Sequence, residues 1–440
     1  MTYPKIDQSM ALWQRAQGLI PGGGQLLAKA PGQWSEGVAP IYADHARGAR
    51  LWDVDGNEYV DLMMAVGPIS LGYCDEDVDA ALRAQIARGI NFTLMSPLEV
   101  EVSELVRDVV PHTESVRFSK TGADATSAAI RIARAFTGRH KVLCCGYHGW
   151  HDWYIAVTDR DAGIPPAASE LTFTFDYNDL ESLKAQISSE FAAVIMEPTV
   201  FDAPAPGFLE GVRELCDAHG ALLIFDEMWT GFRFALGGAQ EKYGVRADLA
   251  TFSKAVANGM PLSVLTGRAD VMKVCEKDVF FFTTFGGEAM SLAAAKATIE
   301  KMRRESVVEH LARQGQKLFD GFNAIAAELD MPFAKCAGHP ARAIIKLSVP
   351  DGASGVTALE MKTLLQQEML AQGVLWSGFH NLSYAHGDAE VDQVLRAYRE
   401  ALPVLRDALR AGNVKEKLRG KVLEAVFRKI ENVHPKTKGG

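Results

Sequence analysis

Five short apolar runs between about residues 100 and 290 limit the folds open to this chain more than any other feature of its sequence. They are SVRF, KVLCC, AAVIM, ALLIF and LATF, and stretches with helical periodicity separate them. Continuous apolar runs of this length are typical of parallel strands that are buried on both faces of a sheet. Polar and glycine residues follow the runs, and in an open α/β sheet ligands bind at the carboxyl ends of the strands. The sequence therefore predicts an α/β fold with a mostly parallel sheet and a ligand site at its carboxyl edge.

The pattern changes towards both ends of the chain. Residues 49–63, ARLWDVDGNEYVDLM, predict a β-hairpin with Asp55-Gly56 as its turn. From about residue 300 onward, long helical patterns flank short strands such as ARAIIKLSV. A chain of 440 residues exceeds one typical core, so we predict a large ligand-binding domain and a smaller α+β domain built from both ends. The predicted bounds are 1–60 and 301–412 for the smaller domain, 61–300 for the large domain and 413–440 for a basic tail.

Composition argues against several classes of protein. The formal net charge of −9 disfavours general binding to nucleic acid, and the longest apolar runs are too short to cross a bilayer. The N-terminus, which we expect to form an amphipathic helix, lacks the apolar core of an export signal. Six cysteines without a CxxC pair do not indicate a disulfide scaffold. We therefore expect a cytoplasmic protein with no membrane or nucleic-acid partner.

Residues 414–440 are a local exception, because they are rich in lysine and arginine. One interpretation is a solvated helix with a frayed end. The other is a tail that binds a partner or RNA. The sequence leaves both open.

The segment KTGADATSAAIRIAR contains a helix start that could hold a phosphate group. Thr121 and Asp124 have the spacing of a capping box. Gly122 and Ala123 have little bulk, so the N–H groups of the first helical turn can face an anion. Most such starts only cap a helix, and phosphate binding is the functional alternative.

The segment GYHGWHDWY, 146–154, places aromatic rings and glycines directly after a predicted strand. Core packing would explain these rings, whereas a planar ligand stacked on Tyr147 is the functional alternative. His148 and His151 lack a third ligand at a spacing that suits a metal, so we expect them to make local hydrogen bonds. No metal site is predicted.

Two charged residues follow predicted buried strands. Asp226 ends ALLIFD, and Lys254 follows LATFS, 28 residues later. A charge at the end of a buried strand needs a partner, because desolvation of an unpaired charge is costly. A salt bridge, a helix cap or an edge position would explain either residue singly. The functional alternative is that Asp226 pairs with a cationic ring nitrogen and that Lys254 is a reactive amine.

Together these residues match the chemical needs of pyridoxal 5′-phosphate (PLP). The aldehyde of PLP needs a lysine for its Schiff base, and the ring nitrogen needs a carboxylate to stay protonated. The phosphate needs backbone donors, and the ring face needs a stacking partner. No single element is specific, but the combination predicts PLP as the cofactor.

The sequence also resembles the class III (subgroup II) aminotransferases of PLP fold type I, over nearly the whole chain. The segments that carry the resemblance are LIPGGGQ, LWDVDGNEYVDL, SKTGADATSAAIRIAR, YHGWHDW, FDEMWTGFRFALGGAQ and TFSKAVANGMPLSVLTGR. The resemblance implies a large domain with a seven-stranded, mostly parallel sheet. It also implies that Lys254 is the Schiff-base lysine and proton shuttle and that Asp226 contacts the pyridine nitrogen.

By the same resemblance, Gly122 and Ala123 bind the phosphate of the cofactor, and Tyr147 stacks on its ring. Thr284, in FFTTFGGEAMSLAAA, corresponds to a threonine that reaches the cofactor phosphate of the neighbouring subunit. The resemblance therefore implies a homodimer with shared active sites.

Three positions depart from the pattern of the glutamate-1-semialdehyde 2,1-aminomutases within this family. Asp202 stands where these enzymes have an asparagine that bonds the phenolic oxygen of the cofactor, and a carboxyl group donates a hydrogen bond only when protonated. The alternative is that the loop turns Asp202 away from the ring. Lys29 replaces an arginine that binds the substrate carboxylate, and lysine lacks the bidentate fork. Glu288 adds a negative charge near the mouth of the active site.

These changes resemble those of class III enzymes that aminate sugars or other hydroxylated carbonyl compounds. His380 and Asn381, in FHNLSYAHGD, are the residues that we expect to face such a substrate. Lys29 and Glu288 complete the predicted substrate-binding set.

The leading hypothesis is an aminotransferase that takes an amino group from a small-molecule donor and passes it to a ketone or aldehyde acceptor. The alternative is glutamate-1-semialdehyde 2,1-aminomutase, an isomerase of tetrapyrrole synthesis that needs no external donor. A third hypothesis is a non-catalytic protein of the same fold that assembles through its basic tail. That hypothesis has to explain why the set of cofactor residues is nearly complete.

Overall fold

The computed structural model describes residues 3–353 and 355–425. These residues form two compact units. The central unit contains residues 76–308, and the terminal unit contains residues 3–75 and 309–425 except residue 354. The division proposed from the sequence, with boundaries after residues 60, 300 and 412, stays a prediction about domains.

Strands β4 to β10 and helices α2 to α11 belong to the central unit, and helix α12 begins at the boundary between the units. The strands of the described residues are β1 Ala43–Arg47, β2 Arg50–Asp53, β3 Glu58–Asp61, β4 Ser115–Ser119, β5 Lys141–Cys145, β6 Thr172–Thr174, β7 Phe191–Met196, β8 Leu222–Asp226, β9 Leu249–Phe252, β10 Ser263–Gly267, β11 Ala334–His339, β12 Arg342–Leu347, β13 Val374–Leu375 and β14 Phe379–Asn381. The α-helices are α1 Asp7–Gln17, α2 Glu76–Ile86, α3 Pro97–Val109, α4 Gly122–Thr137, α5 Asp152–Ile155, α6 Pro166–Ser169, α7 Leu180–Lys184, α8 Phe208–His219, α9 Gly238–Tyr243, α10 Ala269–Met272, α11 Ala289–Arg304, α12 Val307–Glu328, α13 Ala358–Ala371, α14 Asp388–Ala411 and α15 Val414–Lys417.

The central unit is built on a seven-stranded sheet in the order β4-β10-β9-β8-β7-β5-β6. The pairs β8–β9, β7–β8, β5–β7 and β5–β6 are parallel, whereas β10 runs antiparallel to both β4 and β9. All strands of this sheet except β10 therefore point the same way, and their carboxyl ends meet at one edge. The predicted α/β fold with a mostly parallel sheet is confirmed.

The apolar runs are continuous because successive residues of a strand face two different apolar layers. On one face of the sheet, Ile195 and Ile224 pack with Ile132 of α4. On the other face, Val194 packs with Val212 of α8. Each strand is thus covered on both sides, and the helices between the runs supply the cover.

Two strands of this sheet, β6 and β10, are not among the five apolar runs that predict the others. Strand β6 has only three residues, and two of them are threonines. Strand β10 is buried throughout, but an apolar run does not show in which direction its strand will point. Its antiparallel orientation is therefore a finding of the structure alone.

The terminal unit contains one sheet in the order β1-β2-β3-β13 and another in the order β11-β12-β14. The predicted hairpin is confirmed, since β2 and β3 pair antiparallel around Gly56, whose φ is 87°. Glycine adopts such a φ without steric cost. The N-terminal helix also forms, and Ser9, Trp13 and Ala16 are its buried face. No described helix combines the length and the apolar composition that a membrane span requires.

The C-terminal segment is helical only over α15 in the described residues, and residues 418–425 continue without a helix. This stretch binds to its own unit. The N–H of Leu423 donates to Thr363 Oγ1 at 3.0 Å, and the N–H of Lys421 donates to the carbonyl oxygen of Glu36 at 2.9 Å. Residues 418–425 therefore do not extend the helix, although most of them are exposed. The rest of the predicted tail, 426–440, lies outside the described residues.

Candidate active site

Helix α4 begins after strand β4, at the carboxyl edge of the central sheet. Its start is a complete capping box, in which the N–H of Asp124 donates to Thr121 Oγ1 at 3.2 Å and the N–H of Thr121 donates to Asp124 Oδ2 at 2.8 Å. The N–H groups of Gly122 and Ala123 cannot bond within the helix, because they belong to its first turn. Neither donates to any residue that the structure describes. They are two donors at the positive end of a long helix, where a phosphate group can bind.

Glycines cover this helix start with backbone instead of side chains. Gly149 has a φ of +102°, and a Cβ placed on it would lie 2.6 Å from the Cβ and 2.9 Å from the Cα of Ala123. A Cβ on Gly122 would lie 2.9 Å from the Sδ of Met228. Thr126 joins the two segments, since its hydroxyl donates to the carbonyl oxygen of His148 at 2.8 Å. Only glycine permits so close an approach to the first turn of α4.

Asp226, the last residue of β8, is almost fully buried. Its Oδ2 lies 2.8 Å from Nδ1 of His148, and its Oδ1 accepts from the N–H of Met228 at 3.1 Å. The other ring nitrogen of His148 lies 3.2 Å from the carbonyl oxygen of Cys145. The carboxyl group and the imidazole thus form a buried pair, which fixes the orientation of Asp226.

Lys254 follows β9 at the same edge of the sheet. Its φ of 41° lies in the left-handed region, which costs a non-glycine residue about 1–2 kcal/mol. Residues 255–257 are buried directly after it, and Ser253 Oγ donates to the carbonyl oxygen of Leu262 at 2.7 Å. These contacts hold the strained backbone, as is common at functional sites. The Nζ of Lys254 lies 3.9 Å from the centroid of the Trp229 ring.

Tyr147 follows β5 and is 40% exposed. Its N–H donates to Oε1 of Glu197, which directly follows β7, at 2.7 Å. Its ring meets that of Tyr154 edge to face, with 5.6 Å between the centroids. A tyrosine ring held in this way can stack on a planar ligand.

The structure thus brings several predicted residues to one edge of one sheet. They are Gly122 and Ala123 at the start of α4, Tyr147 after β5, Asp226 at the end of β8 and Lys254 after β9. The parallel strands explain this gathering, since each residue stands at or just beyond a carboxyl end.

Asp202 and Thr284, two further predicted cofactor contacts, are both exposed. The carbonyl oxygen of Asp202 accepts from the hydroxyl of Tyr177 at 3.3 Å. Burial is the main cause that raises the pKa of Tyr177, and the nearby charge of Asp202 adds to it. Whether Asp202 contacts the cofactor stays a prediction. Thr284 lies in the loop before α11, where its carbonyl oxygen accepts from Asn91 Nδ2 at 3.4 Å.

Glu288 caps helix α11 with both of its carboxylate oxygens. Oε2 accepts from the N–H of Met290 at 2.8 Å, and Oε1 accepts from the N–H of Ser291 at 3.0 Å and from Lys120 Nζ at 2.7 Å. Burial tends to raise the pKa of the Glu288 carboxyl group, but the bonds from Lys120 and Ser291 outweigh it and lower that pKa below its ordinary value. A substrate contact by Glu288 would have to compete with these bonds.

Lys29, the predicted substrate-binding cation, is exposed in the terminal unit. Burial is the main influence on the Asp61 carboxyl group and raises its pKa, whereas the charge of Lys29 lowers it. Lys29 therefore lies near a buried acid of its own unit. Its role towards a substrate stays a proposal.

His380 and Asn381 are fully buried in the terminal unit. Nε2 of His380 lies 2.7 Å from the hydroxyl oxygen of Tyr398, and burial lowers the pKa of this imidazole to about 3. Asn381 Nδ2 donates to the carbonyl oxygen of Met63 at 3.4 Å. The structure therefore does not support the expectation that these two side chains face a substrate, because their own unit encloses them.

Sequence reasoning missed the two side chains that contact Asp226 and Lys254. His148 is expected only to make local hydrogen bonds, yet its partner is the buried Asp226. The desolvation cost of Asp226 is the signal that could have found it, because a buried carboxylate needs a partner. Trp229 lies three residues after Asp226, but its spacing in the sequence does not show where the indole points.

Comparison with known proteins identifies the family. The model of the family "Aminotransferase class-III" matches residues 33–338. This chain belongs to the class III aminotransferases. It is 36% identical over 417 residues to 3-aminobutyryl-CoA aminotransferase of Cloacimonas acidaminovorans (strain Evry), which covers 92% of this chain and 99% of that protein.

Solved structures agree with this family. The PLP internal aldimine form of the FumI protein of Sphingopyxis sp. MTA144 has a TM-score of 0.85 and 30% identity, and the match covers 92% of this chain and 97% of that one. A glutamate-1-semialdehyde aminomutase from Pseudomonas aeruginosa PAO1 has a TM-score of 0.80 and 25% identity, with 91% and 95% covered. This class III aminotransferase therefore has PLP fold type I and uses PLP, as the sequence predicts.

The residues of the central unit fit this cofactor. A Cβ on Gly149 would lie 3.6 Å from the backbone nitrogen of Ala123, so glycine at this position keeps a side chain away from the donors of the first turn of α4. Asp226 supplies a buried carboxylate for a ring nitrogen, and Lys254 supplies a primary amine at the same sheet edge. The donor set thus contains the groups that the chemistry of PLP requires.

Proposed function

We propose that this class III aminotransferase moves an amino group from a small-molecule donor to a ketone or aldehyde acceptor, with Lys254 as its catalytic lysine. The observation that carries the proposal is the arrangement at the carboxyl edge of the central sheet. Asp226 ends β8 and Lys254 follows the neighbouring strand β9, while His148, the partner of Asp226, follows β5, and the donors of α4 lie at the same edge.

Each group of this edge has a distinct task. When bound, PLP supplies an aldehyde that takes up an amino group and a protonated ring that draws electrons from the neighbouring carbon. The N–H groups of Gly122 and Ala123 would bind the phosphate, and Tyr147 would pack on the ring face. Asp226 holds the proton on the ring nitrogen, and its bond with His148 keeps the carboxylate in the required orientation.

Lys254 has two tasks in this proposal. Its Nζ would hold the cofactor through the aldehyde, and it would later act as the base and acid that moves a proton between two carbons. A lysine that transfers protons needs a rigidly held backbone, because its Nζ has to lie within hydrogen-bond distance of each proton that it moves. The buried residues after Lys254 and the bond of Ser253 to Leu262 supply it.

For the substrate we favour an amine at the β-position of an acyl compound. A relative that is 36% identical over 92% of this chain is named for 3-aminobutyryl-CoA. The expectation of a sugar or another hydroxylated carbonyl compound relied partly on His380 and Asn381, and both are fully buried. A screen of the cofactor spectrum with β-amino acids, β-aminoacyl thioesters and amino sugars as donors separates the two classes. The β-amino compounds should convert the aldehyde form of the cofactor to the amine form, and amino sugars should not.

We also propose a homodimer with shared active sites. The central unit exposes large apolar side chains on both sides of the Asn91–Thr284 hydrogen bond, among them Leu94 at 81%, Met95 at 87% and Phe280 at 75% exposure. Patches of this kind usually mark an interface. Light scattering of the purified protein should give twice the mass of the chain, and replacing Leu94 and Met95 with lysine should give the monomer.

Replacement of Lys254 by alanine tests the proposed function. The variant should lose turnover, because no other group in the site is proposed to move the proton. It should also lose the cofactor adduct that borohydride traps. The matched control is Lys184→Ala, which removes an exposed lysine from helix α7 and should change neither readout. Normal turnover in Lys254→Ala would refute the assignment.

A second candidate is an aminomutase that acts on glutamate 1-semialdehyde without an external donor. The similarity to the Pseudomonas aeruginosa enzyme favours it, whereas Lys29 in place of an arginine argues against it. Supplying glutamate 1-semialdehyde without a second amino compound distinguishes the two. Rapid formation of 5-aminolevulinate would support the aminomutase.

A further inference from the structure

Trp229 makes a contact with Lys254 that the proposed function does not use. The Nζ of Lys254 lies 3.9 Å from the centroid of the indole ring. An ammonium group over the face of an aromatic ring is attracted by the ring quadrupole, and tryptophan is the strongest partner of this kind. The neutral amine lacks the charge, so the contact favours the ammonium form of Lys254.

Both sides of this contact are held by the sheet. The turn that carries Trp229 is fixed to β9, because the N–H of Glu227 donates to the carbonyl oxygen of Thr251 at 2.8 Å. A Cβ on Gly231 would lie 2.3 Å from the ring of Phe252, so the turn packs directly against that strand. Lys254 follows the same strand, with buried residues after it. The contact is therefore built into two neighbouring strands and is not the chance approach of a surface side chain.

Three charged side chains on the elements around Lys254 have partners in the structure. At the end of β8, Asp226 contacts His148, and the carboxylate of Glu227 accepts from backbone N–H groups of α9. Lys120, before α4, pairs with Glu288 at the start of α11. An indole carries no net charge, so Trp229 can stabilise an ammonium group on Lys254 without adding a carboxylate to the site.

We propose that Trp229 is a positioning residue for proton transfer, because its ring stabilises the ammonium group that Lys254 becomes when it takes a proton from the substrate carbon. In that step the C–H bond breaks, its electron pair stays with the carbon, and the proton moves to Nζ. Lys254 would then release the same proton to a second carbon, and Nζ would return to the neutral amine. This inference depends on the proposed function of Lys254 and adds a residue that sets how long the lysine holds the proton.

Carbamylation by cyanate measures the protonation of Lys254 directly, since only the neutral amine adds to cyanic acid. The full-length enzyme is loaded with pyridoxamine 5′-phosphate, which leaves Nζ unbonded, and is labelled between about pH 6 and about pH 10. Mass spectrometry of the peptide that contains Lys254 gives the rate, with Lys184 as the internal reference. If a variant does not bind pyridoxamine 5′-phosphate, the same labelling of its cofactor-free chain still gives the midpoint for Lys254.

Trp229→Leu removes the ring, and Trp229→Phe keeps a weaker one. The midpoint of labelling at Lys254 should fall by about 0.5–1.5 pH units in Trp229→Leu and by less in Trp229→Phe. At a fixed pH below the midpoint, labelling should become about 3- to 30-fold faster. Turnover should fall through kcat with little change in KM. Loss of a residue that only holds the fold would lower turnover without this downward shift of the labelling midpoint in both variants.

A midpoint that stays in place or rises in both variants would overturn the inference. The phenylalanine variant keeps an aromatic side chain in the turn and gives a result even if the leucine variant does not fold. Failure of the proposed function is seen separately. If Lys254→Ala retains turnover, the proposed function of Lys254 is refuted, whatever the Trp229 variants show. If Lys254→Ala is inactive but the labelling midpoint does not fall in the Trp229 variants, only the role of Trp229 is refuted.

Discussion

Replacing Gly149 by alanine tests the proposed phosphate site at the start of α4. The φ of +102° places an alanine in a region that costs about 1–2 kcal/mol. The new Cβ would also lie 2.6 Å from the Cβ and 2.9 Å from the Cα of Ala123, which is backbone that cannot rotate away. Overpacking of this kind adds about 1–3 kcal/mol. The free energy of unfolding should therefore fall by about 2–5 kcal/mol.

The same change should weaken PLP binding, because the first turn of α4 has to shift to admit the new methyl group. A charge-assisted hydrogen bond contributes about 1.5–3 kcal/mol, so the loss of one backbone donor predicts an affinity about 10- to 100-fold lower. Urea unfolding of the cofactor-free chain gives the stability. Titration with PLP, followed by absorbance, gives the affinity.

Gly163→Ala is the matched control for this prediction. Gly163 has a φ of +87°, but no atom lies within 4 Å of a Cβ placed on it. This variant should show the backbone cost of about 1–2 kcal/mol and unchanged PLP affinity. Adding Ala123→Gly to Gly149→Ala should recover part of the loss, since one of the two close contacts disappears. Equal effects of Gly149→Ala and Gly163→Ala on both measurements would refute the argument.

Two further predictions concern the packing around the site and in the terminal unit. Lys120→Met leaves the buried carboxylate of Glu288 without its cation and should cost about 2–4 kcal/mol, whereas Lys141→Met, which breaks an exposed pair, should cost less than about 1 kcal/mol. The pKa of Glu288 is lowered in the folded state. The pair therefore stabilises the protein at pH values above the pKa of an unfolded glutamate. As the pH falls through the acid range, the wild type should lose the stability that the pair contributes. In Lys120→Met the acid-side loss should be smaller, and an unchanged pH dependence of urea unfolding would contradict the role of the pair. Leu423→Ala removes a buried side chain and should lower the free energy of unfolding by about 2–3 kcal/mol. Val422→Ala, at an exposed position, should change it by less than about 1 kcal/mol. Equal effects of the two variants in urea unfolding would mean that residues 418–425 do not pack as described.

Much of the central unit could be predicted from its sequence, because the relevant physics is local. A strand buried on both faces has to be continuously apolar, so the runs that end at Asp226 and before Lys254 identify their strands. The capping box of Thr121 and Asp124 follows from a spacing of three residues, and the structure contains both of its bonds. Parallel strands then bring their carboxyl ends to one edge without further information.

The parts that could not be predicted depend on contacts between distant segments. The partner of Asp226 is His148, 78 residues away, and the indole of Trp229 points to a lysine that follows a different strand. The polar segment around His380 suggests a binding loop, yet its strand pairs with β12 and the imidazole contacts Tyr398 inside the unit. In each case the sequence shows a residue type that suits chemistry, and only the fold shows which group it meets.

The central claim is that Lys254 is the lysine that binds PLP. Borohydride treatment of the purified enzyme with PLP, followed by proteolysis and mass spectrometry, identifies the lysine that carries the reduced cofactor. The account predicts one modified peptide, containing LATFSK and therefore Lys254, and no such adduct in Lys254→Ala. A cofactor found on another lysine, or an active enzyme in which Lys254 stays unmodified, would contradict it.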